Sequence, residues 1–487
     1  DNFTYPRHDL DIAFFRVYEN GEPLRTADFL RFNPEGPREN ELVFVAGHPG
    51  STGRLRTVAQ LEFERDHNIP SRIERQARRL EAYYAYSARG LEEARRAADR
   101  IKGLENSQKR LFGLREVLAD PRIMEAKRAQ EAEVRAQVPR DPELDVRADD
   151  PWKRIAEARR AMLSRHREAQ HRDLGRVSRL VDYANTIVRY TTEVEKPDAE
   201  RLAEFRDPKL ASQRFRLYSR APVYPDMEEY ILAVTLEEML AALGPEDAFV
   251  KVALGGKPPR TRAHELISGT GLADIALRRD LIEGGRRAVE ESADPLILWA
   301  RALDAPYREL RSWTEETVES VESLEGSRVA RALFQAYGEA LSPDATGTLR
   351  LSYGKTAGYE LGTTQVPWKT TFYSLFGRSA DFDGREPFDL PSRWIESRAD
   401  LDMATPINFV STNDIIGGNS GSPVVDRDGA CVGVVFDGNV EAFLWDYVYD
   451  DARARCVAVH SAGILEALRK VYAMPALAEE LVRGSAR

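Results

Sequence analysis

A glycine-rich turn followed by an apolar hairpin decides the fold of this chain. Residues 417–425 read GGNSGSPVV, residues 426–429 read DRDG, and residues 430–436 read ACVGVVF. Small neighbours leave the Ser420 hydroxyl open to approach, as a nucleophile requires. Gly418 tolerates the backbone angles that turn amides inward, so the amides of Gly418 and Ser420 could face one reacting oxygen. The string therefore indicates either a catalytic serine or a plain turn before a hairpin.

β-like segments lie at both ends of the chain, around a helical middle. Residues 11–18 (DIAFFRVY) and 41–46 (ELVFVA) are apolar runs typical of inner strands, and residues 349–354 alternate like a strand. From Ser71 onward, small or apolar residues recur in steps of three and four, which predicts one long helix with Ser71 and Glu74 as its capping box. If the two β ends pair, the helical block is an insertion into one β domain.

Composition bears on three classes of partner: nucleic acid, membrane and metal. The 487 residues include 70 Lys and Arg against 80 Asp and Glu, a net charge of -10, so the chain lacks the positive excess that non-specific nucleic-acid binding uses. No apolar run approaches the roughly 18 residues of a membrane span. Cys431 and Cys456 have no metal-ligand spacing, and one disulfide or two buried thiols are equally compatible with the pattern. We expect no nucleic acid, no membrane span and no metal or other cofactor.

The serine string resembles the Gly-Asp-Ser-Gly-Gly-Pro motif of trypsin-like serine peptidases, with Asn419 and Ser422 replacing its second and fifth residues. Residues 11–14 (DIAF) look like the strand whose aspartate orients the catalytic histidine in those enzymes. The aspartate precedes the serine, as it does in that group. The resemblance implies that Ser420 is the nucleophile and Asp11 the orienting acid.

Four further stretches narrow the resemblance. Residues 1–8 (DNFTYPRH), 47–50 (GHPG), 412–414 (TND) and 436–439 (FDGN) resemble the bacterial family that includes dipeptidyl-peptidases VII and XI. Its members have a trypsin-like double β-barrel interrupted by a large inserted α-helical domain. The resemblance therefore implies an α+β fold with the β, α, β order seen in the sequence pattern.

The same resemblance implies three regions. Residues 1–64 would form part of the first β-barrel, with Asp11. Residues 65–343 would form the inserted helical domain. Residues 344–487 would form the second β-barrel, which carries Ser420, and a C-terminal helix.

Family members bind the α-amine of the substrate with two asparagines and an aspartate. Asn2, Asn106 and Asp437 match these positions, and Phe3 stands beside them where members commonly have Trp. By residue type alone, Asp437 would be a hairpin-turn aspartate and Asn106 a solvated helix residue. An ammonium held by a carboxylate and neutral acceptors, two residues from the scissile carbonyl, would turn an endopeptidase cleft into one that measures dipeptides.

The residue after Asp437 bears on specificity. In the acid-specific branch of the family an arginine follows this aspartate and meets an Asp or Glu side chain of the substrate. Gly438 stands there in this chain. The resemblance therefore implies a preference for an apolar or aromatic second residue.

The catalytic histidine of the family lies upstream of the aspartate, in a segment that this chain does not contain. The sequence has seven histidines, and each is predicted to be a surface or structural residue: His8, His48, His67, His166, His171, His264 and His460. Because the chain opens with Asp1 and runs into an apparent inner strand, we expect an upstream segment with the histidine, and any signal peptide would lie there too. As it stands, the chain is expected to be nearly inactive.

The sequence thus predicts a serine exopeptidase that releases N-terminal dipeptides from peptides with a free N-terminus. The resemblance adds a homodimer in the periplasm or at the cell surface of a Gram-negative-type bacterium. Two alternatives stay open: a trypsin-like endopeptidase, and a non-catalytic binding or scaffold protein that uses the helical block as its working surface.

Overall fold

The structure, a computed structural model, describes residues 2–137, 150–175 and 178–483. Its strands are β1 Tyr18–Glu19, β2 Glu22–Pro23, β3 Leu42–Gly47, β4 Arg350–Lys355, β5 Tyr359–Leu361, β6 Thr364–Val366, β7 Lys369–Thr371, β8 Pro406–Ser411, β9 Pro423–Val425, β10 Cys431–Gly438 and β11 Cys456–His460. Its α-helices are α1 Val58–Phe63, α2 Ile69–Ser87, α3 Leu91–Ala119, α4 Pro121–Gln137, α5 Pro151–His171, α6 Arg179–Glu193, α7 Asp207–Leu217, α8 Pro225–Leu243, α9 Ala248–Leu254, α10 Pro259–Gly269, α11 Ile275–Glu283, α12 Gly285–Glu291, α13 Pro295–Thr314, α14 Ser320–Tyr337, α15 Phe372–Asp381, α16 Ser392–Ser397, α17 Ser461–Lys470 and α18 Pro475–Arg483. Short π-helical segments are Glu64–Asn68 and Glu315–Glu319, and short 3-10 segments are Asp198–Glu200, Ala203–Phe205, Gly338–Ala340 and Val440–Asp446.

The chain divides into two units. The first, which we name the sheet unit, comprises the residues up to Arg56, Glu116–Ile123 and the residues from Leu333 onward. The second, the helical unit, comprises Thr57–Arg115 and Met124–Ala332. Both β ends of the chain therefore belong to the same unit.

A seven-stranded antiparallel sheet, in the order β4-β3-β9-β10-β11-β8-β7, forms the sheet unit. Strand β3, from the first β end, pairs with β4 and β9 from the second, with Phe44 opposite Tyr353 and Val45 opposite Val424. The predicted pairing of the two ends and a helix-rich α+β fold are confirmed. The other strands of the described residues form two-stranded ribbons, β1 with β2 and β5 with β6, so the trypsin-like double barrel stays a prediction.

Alternating side chains build the core of the sheet unit. Along β3 every second residue is buried, because successive side chains point to opposite faces of a strand. Val43 and Val45 from β3 and Val424 from β9 have no exposed surface, and Phe409 and Trp445 lie in the same cluster. Glycine-rich loops that join these strands are thus anchored to a packed layer.

Both cysteines are buried free thiols. Of the two alternatives that the sequence left open, the structure therefore contains the pair of thiols. Burial raises the pKa of Cys431 to about 11 and that of Cys456 to about 12, so both are neutral near pH 7.

The N-terminal apolar run is not an inner strand, so this prediction was wrong. Residues 11–17 have no regular structure, and the Phe15 side chain is 92% exposed. Leu10 and Ile12 pack instead against the apolar cluster around α17 and α18. An apolar run suits a strand or a segment laid on helices equally well, and of this run only Tyr18, in β1, finds a strand partner.

The predicted long helix is two helices, and it begins earlier than predicted. Helix α2 ends at Ser87 and α3 begins at Leu91, while the helical run starts at α1. The capping box lies at Thr57 and Gln60, where Thr57 Oγ1 accepts from the Gln60 amide and Gln60 Oε1 accepts from the Thr57 amide. Ser71 lies inside the helical run, and its hydroxyl donates to the His67 carbonyl.

The helical unit has its own apolar core. Fully buried members come from helices far apart in sequence: Tyr86, Ile187, Leu232, Leu266 and Leu296. In the part of the chain that the structure describes, no helix is both long enough and apolar enough to cross a membrane.

Candidate active site

Ser420 lies on the loop between β8 and β9, at the edge of the sheet core. Its side chain is exposed, and its Oγ donates one long hydrogen bond, 3.5 Å, to the Phe436 carbonyl on β10. Gly418 has φ +112°, and a Cβ there would lie 2.5 Å from the His48 carbonyl oxygen. Only glycine fits this turn, because other residues rarely adopt that φ and would also clash.

The loop around Ser420 is fixed by its neighbours. Asn419 donates its amide to the Ile416 carbonyl at 3.0 Å and accepts from the Ile416 amide through Oδ1 at 3.1 Å. The Gly50 amide donates to the Gly417 carbonyl at 2.8 Å. Among the described residues, the amides of Gly418 and Ser420 have no hydrogen-bond acceptor. These two donors are therefore available to one oxygen placed beside the serine.

An ion pair between the buried Arg54 and the partly exposed Asp414 also anchors this loop. The Arg54 guanidinium donates to both carboxylate oxygens of Asp414 at 2.6 and 2.7 Å, and to the Trp445 carbonyl at 2.8 Å. Such a two-pronged bond fixes orientation as well as distance. Sequence reasoning did not single out Arg54, although the quoted TND stretch contains its partner.

The residues predicted to bind an amine come together in the sheet unit, except for Asn106. Asp437 Oδ2 accepts from the Phe3 amide at 2.8 Å, and the Arg7 guanidinium bonds both Asp437 Oδ2, at 3.3 Å, and Asn2 Oδ1, at 3.4 Å. Phe3 has φ +59°, a left-handed conformation that is rare for a bulky residue. Its ring packs on Phe443, with centroids 4.6 Å apart. Sequence reasoning missed Arg7 and Phe443.

Asp437 is a buried carboxylate. Its side chain is 9% exposed, and this desolvation raises its pKa, opposed by the hydrogen bonds from the Phe3 and Gly438 amides and by the charge of Arg7. A carboxylate that has lost water gains more from a bound cation than an exposed one does. Since Asp437 directly follows Phe436, whose carbonyl faces Ser420, a cation there would lie beside the serine loop.

Gly438 lies against apolar side chains. A Cβ at this position would be 3.0 Å from the Ala442 Cβ and 3.8 Å from the Ile415 Cδ1. Ala442 and Ile415 are both buried. Any side chain at residue 438 would therefore have to displace Ala442 slightly.

The roles of two further predicted site residues are not tested by the structure. Asn106 is an exposed residue of α3 in the helical unit, one residue before Ser107, whose hydroxyl accepts from Gln76. Asp11 is exposed, and within the described ranges no hydrogen bond or ion pair joins it to Ser420 or to a histidine. Their assigned roles stay predictions.

The histidines of the sheet unit are structural or exposed. His460 is fully buried, caps α17 by accepting from the Ala462 amide, and has its pKa lowered to about 3 by burial. Burial and Arg378 lower the pKa of His8 to about 4. His48 is exposed. None of the described histidines hydrogen-bonds Ser420.

Comparisons with known proteins place this site in a family context. An Asp/Glu-specific dipeptidyl-peptidase of Shewanella putrefaciens is 27% identical, over 99% of this chain and 71% of that protein. Dipeptidyl-peptidase 7 of Capnocytophaga gingivalis is 24% identical, over 96% of this chain and 68% of that protein. The crystal structure of Porphyromonas endodontalis DPP11 in complex with the dipeptide Arg-Asp is 17% identical and superposes with a TM-score of 0.76, over 99% of this chain and 71% of that one, so the two share a fold.

A family model provides the assignment. The model described as Peptidase S46 matches residues 1–483, nearly the whole sequence. The chain belongs to the peptidase S46 family.

Proposed function

We propose that this protein is a serine-type dipeptidyl-peptidase that removes dipeptides from peptides with a free N-terminus. One observation carries the proposal: a buried carboxylate, Asp437, lies one residue beyond the carbonyl that Ser420 bonds, accepts from the Phe3 amide, and shares the Arg7 guanidinium with Asn2. A dipeptide spans about 7 Å in extended form. An ammonium held at Asp437 would therefore bring the second carbonyl of the substrate to the serine loop.

In this reaction Ser420 Oγ attacks the carbonyl of the second substrate residue. The amides of Gly418 and Ser420 stabilise the oxyanion, and a histidine takes the serine proton while Asp11 holds its tautomer. Water then cleaves the acyl-enzyme and frees the dipeptide. Asn106 of the helical unit is proposed as the second asparagine at the amine. The reaction needs no metal or cofactor.

The free amine is the feature to test. For enzyme expressed from its complete gene, N-acetylation of a dipeptidyl substrate is expected to lower kcat/KM about 100-fold, since a charge-assisted contact is lost. The loss is limited because Asp437 keeps the Phe3 and Gly438 amides as donors. Equal cleavage of free and acetylated substrates would favour the endopeptidase alternative.

We propose further that the second substrate residue is apolar or aromatic. The relatives carry both kinds of name, Asp/Glu-specific and dipeptidyl-peptidase 7. Their names therefore do not decide the specificity, and this proposal rests on the residue after Asp437. Gly438 offers no charge, and the neighbouring Ala442 and Ile415 are apolar. Purified enzyme is expected to cleave substrates with Phe, Leu or Met in this position faster than those with Asp or Glu.

Gly438→Arg tests the assignment of the pocket. The new guanidinium is expected to shift the kcat/KM ratio toward Asp or Glu substrates by at least about tenfold, because it supplies a charge-assisted bond. Gly438→Ala is the matched control: it adds the same Cβ against Ala442 without a charge. An equal change of the ratio in both variants would show that crowding, and not charge, sets the preference at this position.

The fold and setting of the intact protein complete the proposal. The resemblance supports a trypsin-like double barrel, a homodimer, and a location in the periplasm or at the cell surface. Light scattering of purified enzyme and fractionation of the source cells would test the last two.

A further inference from the structure

Arg7 is a buried arginine whose guanidinium contacts four side chains. Its side chain is 10% exposed. Nε donates to Asp9 at 2.5 Å, Nη1 to Thr4 at 3.5 Å and to Asp437 at 3.3 Å, and Nη2 to Asn2 at 3.4 Å. Two of these four partners, Asn2 and Asp437, are the proposed ligands of the substrate amine.

The same guanidinium lies over the strand that faces the nucleophile. The Arg7 Cζ is 5.5 Å from the centroid of the Phe436 ring, and the Phe436 carbonyl accepts from Ser420 Oγ. Arg7 therefore contacts both the amine ligands and the residue that separates them from the serine.

Arg7 is a cation next to the site proposed for the substrate ammonium, so the Asp437 carboxylate must have acceptor positions for both. An ionised carboxylate has about four lone-pair positions. In Asp437, the described residues use three of them: the Phe3 amide and Arg7 on Oδ2, and the Gly438 amide on Oδ1. One position remains on Oδ1, so an ammonium can bind without displacing Arg7.

We propose that Arg7 is a positioning residue that holds the Asn2 and Asp437 oxygens toward one point, so that the amine site is formed before the substrate arrives. This inference rests on the proposed dipeptidyl-peptidase function and deepens it. Preformed sites bind more tightly because less ordering is needed on association. The planar fork of arginine suits this task, since it bonds two acceptors at once in fixed geometry.

Arg7 also favours the ionised form of Asp437. Burial raises the pKa of Asp437, whereas the charge and the hydrogen bond of Arg7 lower it. From the neighbouring strand, Cys456 also faces this carboxylate, but its thiol is neutral because its pKa is raised to about 12. Loss of Arg7 would therefore raise the pKa of Asp437 further, and the carboxyl would take up its proton at a higher pH.

The test uses Arg7→Met, Arg7→Lys and a control, Arg16→Met, which removes an exposed arginine paired with Glu480 in the same unit. The readouts are dipeptide-amide affinity by calorimetry between pH 4 and pH 8 and, for the enzyme from the complete gene, KM and kcat. We expect Arg7→Met to weaken binding and raise KM about tenfold with little change in kcat. The pH below which affinity for the dipeptide amide falls (the acid limb of binding) should be higher in Arg7→Met than in the wild type. Arg16→Met should match the wild type.

Arg7→Lys separates charge from geometry. The lysine ammonium keeps the positive charge beside Asp437, so the acid limb should stay near that of the wild type. Affinity should be only partly restored relative to Arg7→Met, because one ammonium cannot hold the Asn2 and Asp437 oxygens in fixed geometry. Wild-type affinity and pH dependence in Arg7→Met would overturn the inference. If Arg7→Met does not fold, wild-type affinity of Arg7→Lys at every pH would overturn it instead. The proposed function fails separately, if the wild type itself binds free and acetylated dipeptide amides equally.

Discussion

Replacing Ser420 with alanine is expected to abolish turnover by enzyme expressed from its complete gene. Loss of the nucleophile in a serine peptidase lowers kcat by on the order of 10⁴- to 10⁶-fold, leaving only the contribution of the oxyanion site and of binding. The fold should be unchanged, since the Ser420 side chain is exposed and makes a single 3.5 Å hydrogen bond. Turnover of a dipeptidyl substrate and the thermal unfolding midpoint, measured on the same preparation, check both statements.

Ser422 supplies the matched control. It lies two residues further along the same loop, but it is 7% exposed and contacts the Asn419 side chain. Ser422→Ala is therefore expected to lower the unfolding midpoint more than Ser420→Ala does, while it retains measurable turnover. A fluorophosphonate probe should label the wild type and Ser422→Ala, and not Ser420→Ala. Turnover by Ser420→Ala, or an unlabelled wild type, would favour the non-catalytic scaffold alternative.

Strands with a local signal could be predicted from the sequence. The apolar run of β3, the residue alternation of β4, and the DRDG turn between β9 and β10 mark these strands without reference to partners. The run at residues 11–18 has an equally strong apolar signal, but only Ile12 of the run packs against the cluster around α17 and α18, and Phe15 is 92% exposed. Its state depends on whether a partner strand exists, and that is not encoded in the run itself.

Helix starts show the same limit. The Ser71 and Glu74 pair has capping-box spacing, yet it lies inside a helical run, because the motif stabilises a start only where the preceding chain is not already helical. The pair that caps the run, Thr57 and Gln60, has the same spacing, but the sequence pattern did not single it out. Choosing between the two needs knowledge of where the sheet ends.

The proposed amine site could be predicted in part. Asn2, Phe3 and Asp437 followed from resemblance, and they meet in the sheet unit although they are more than 430 residues apart. Arg7 was missed because a single arginine between a proline and a histidine has no pattern of its own. Its position becomes apparent only when the chain folds and one guanidinium meets both proposed amine ligands.

Asp437→Asn is expected to lower kcat/KM for dipeptidyl substrates by about 100- to 1000-fold, mostly through KM. Removal of the carboxylate leaves the substrate ammonium in a site with little water, and unpairing a buried charge costs several times more than losing a surface contact. The loss exceeds that caused by substrate acetylation. Acetylation neutralises the ammonium, whereas Asp437→Asn leaves a charged ammonium without its carboxylate. Asp428→Asn, in the exposed hairpin turn, is the control and should leave both constants unchanged.

The same residue determines the pH dependence. In the proposed function substrate binding needs the ionised carboxylate, and burial raises the pKa of Asp437 above the usual value for an aspartate. As pH falls, the carboxyl therefore takes up its proton, and affinity is lost, at milder acidity than for an exposed aspartate. Asp437→Asn has no carboxyl to protonate, so its weak binding should show no such acid limb. If Asp437→Asn loses affinity at acid pH as the wild type does, the titration belongs to another group. The main support for amine recognition at this position would then be removed.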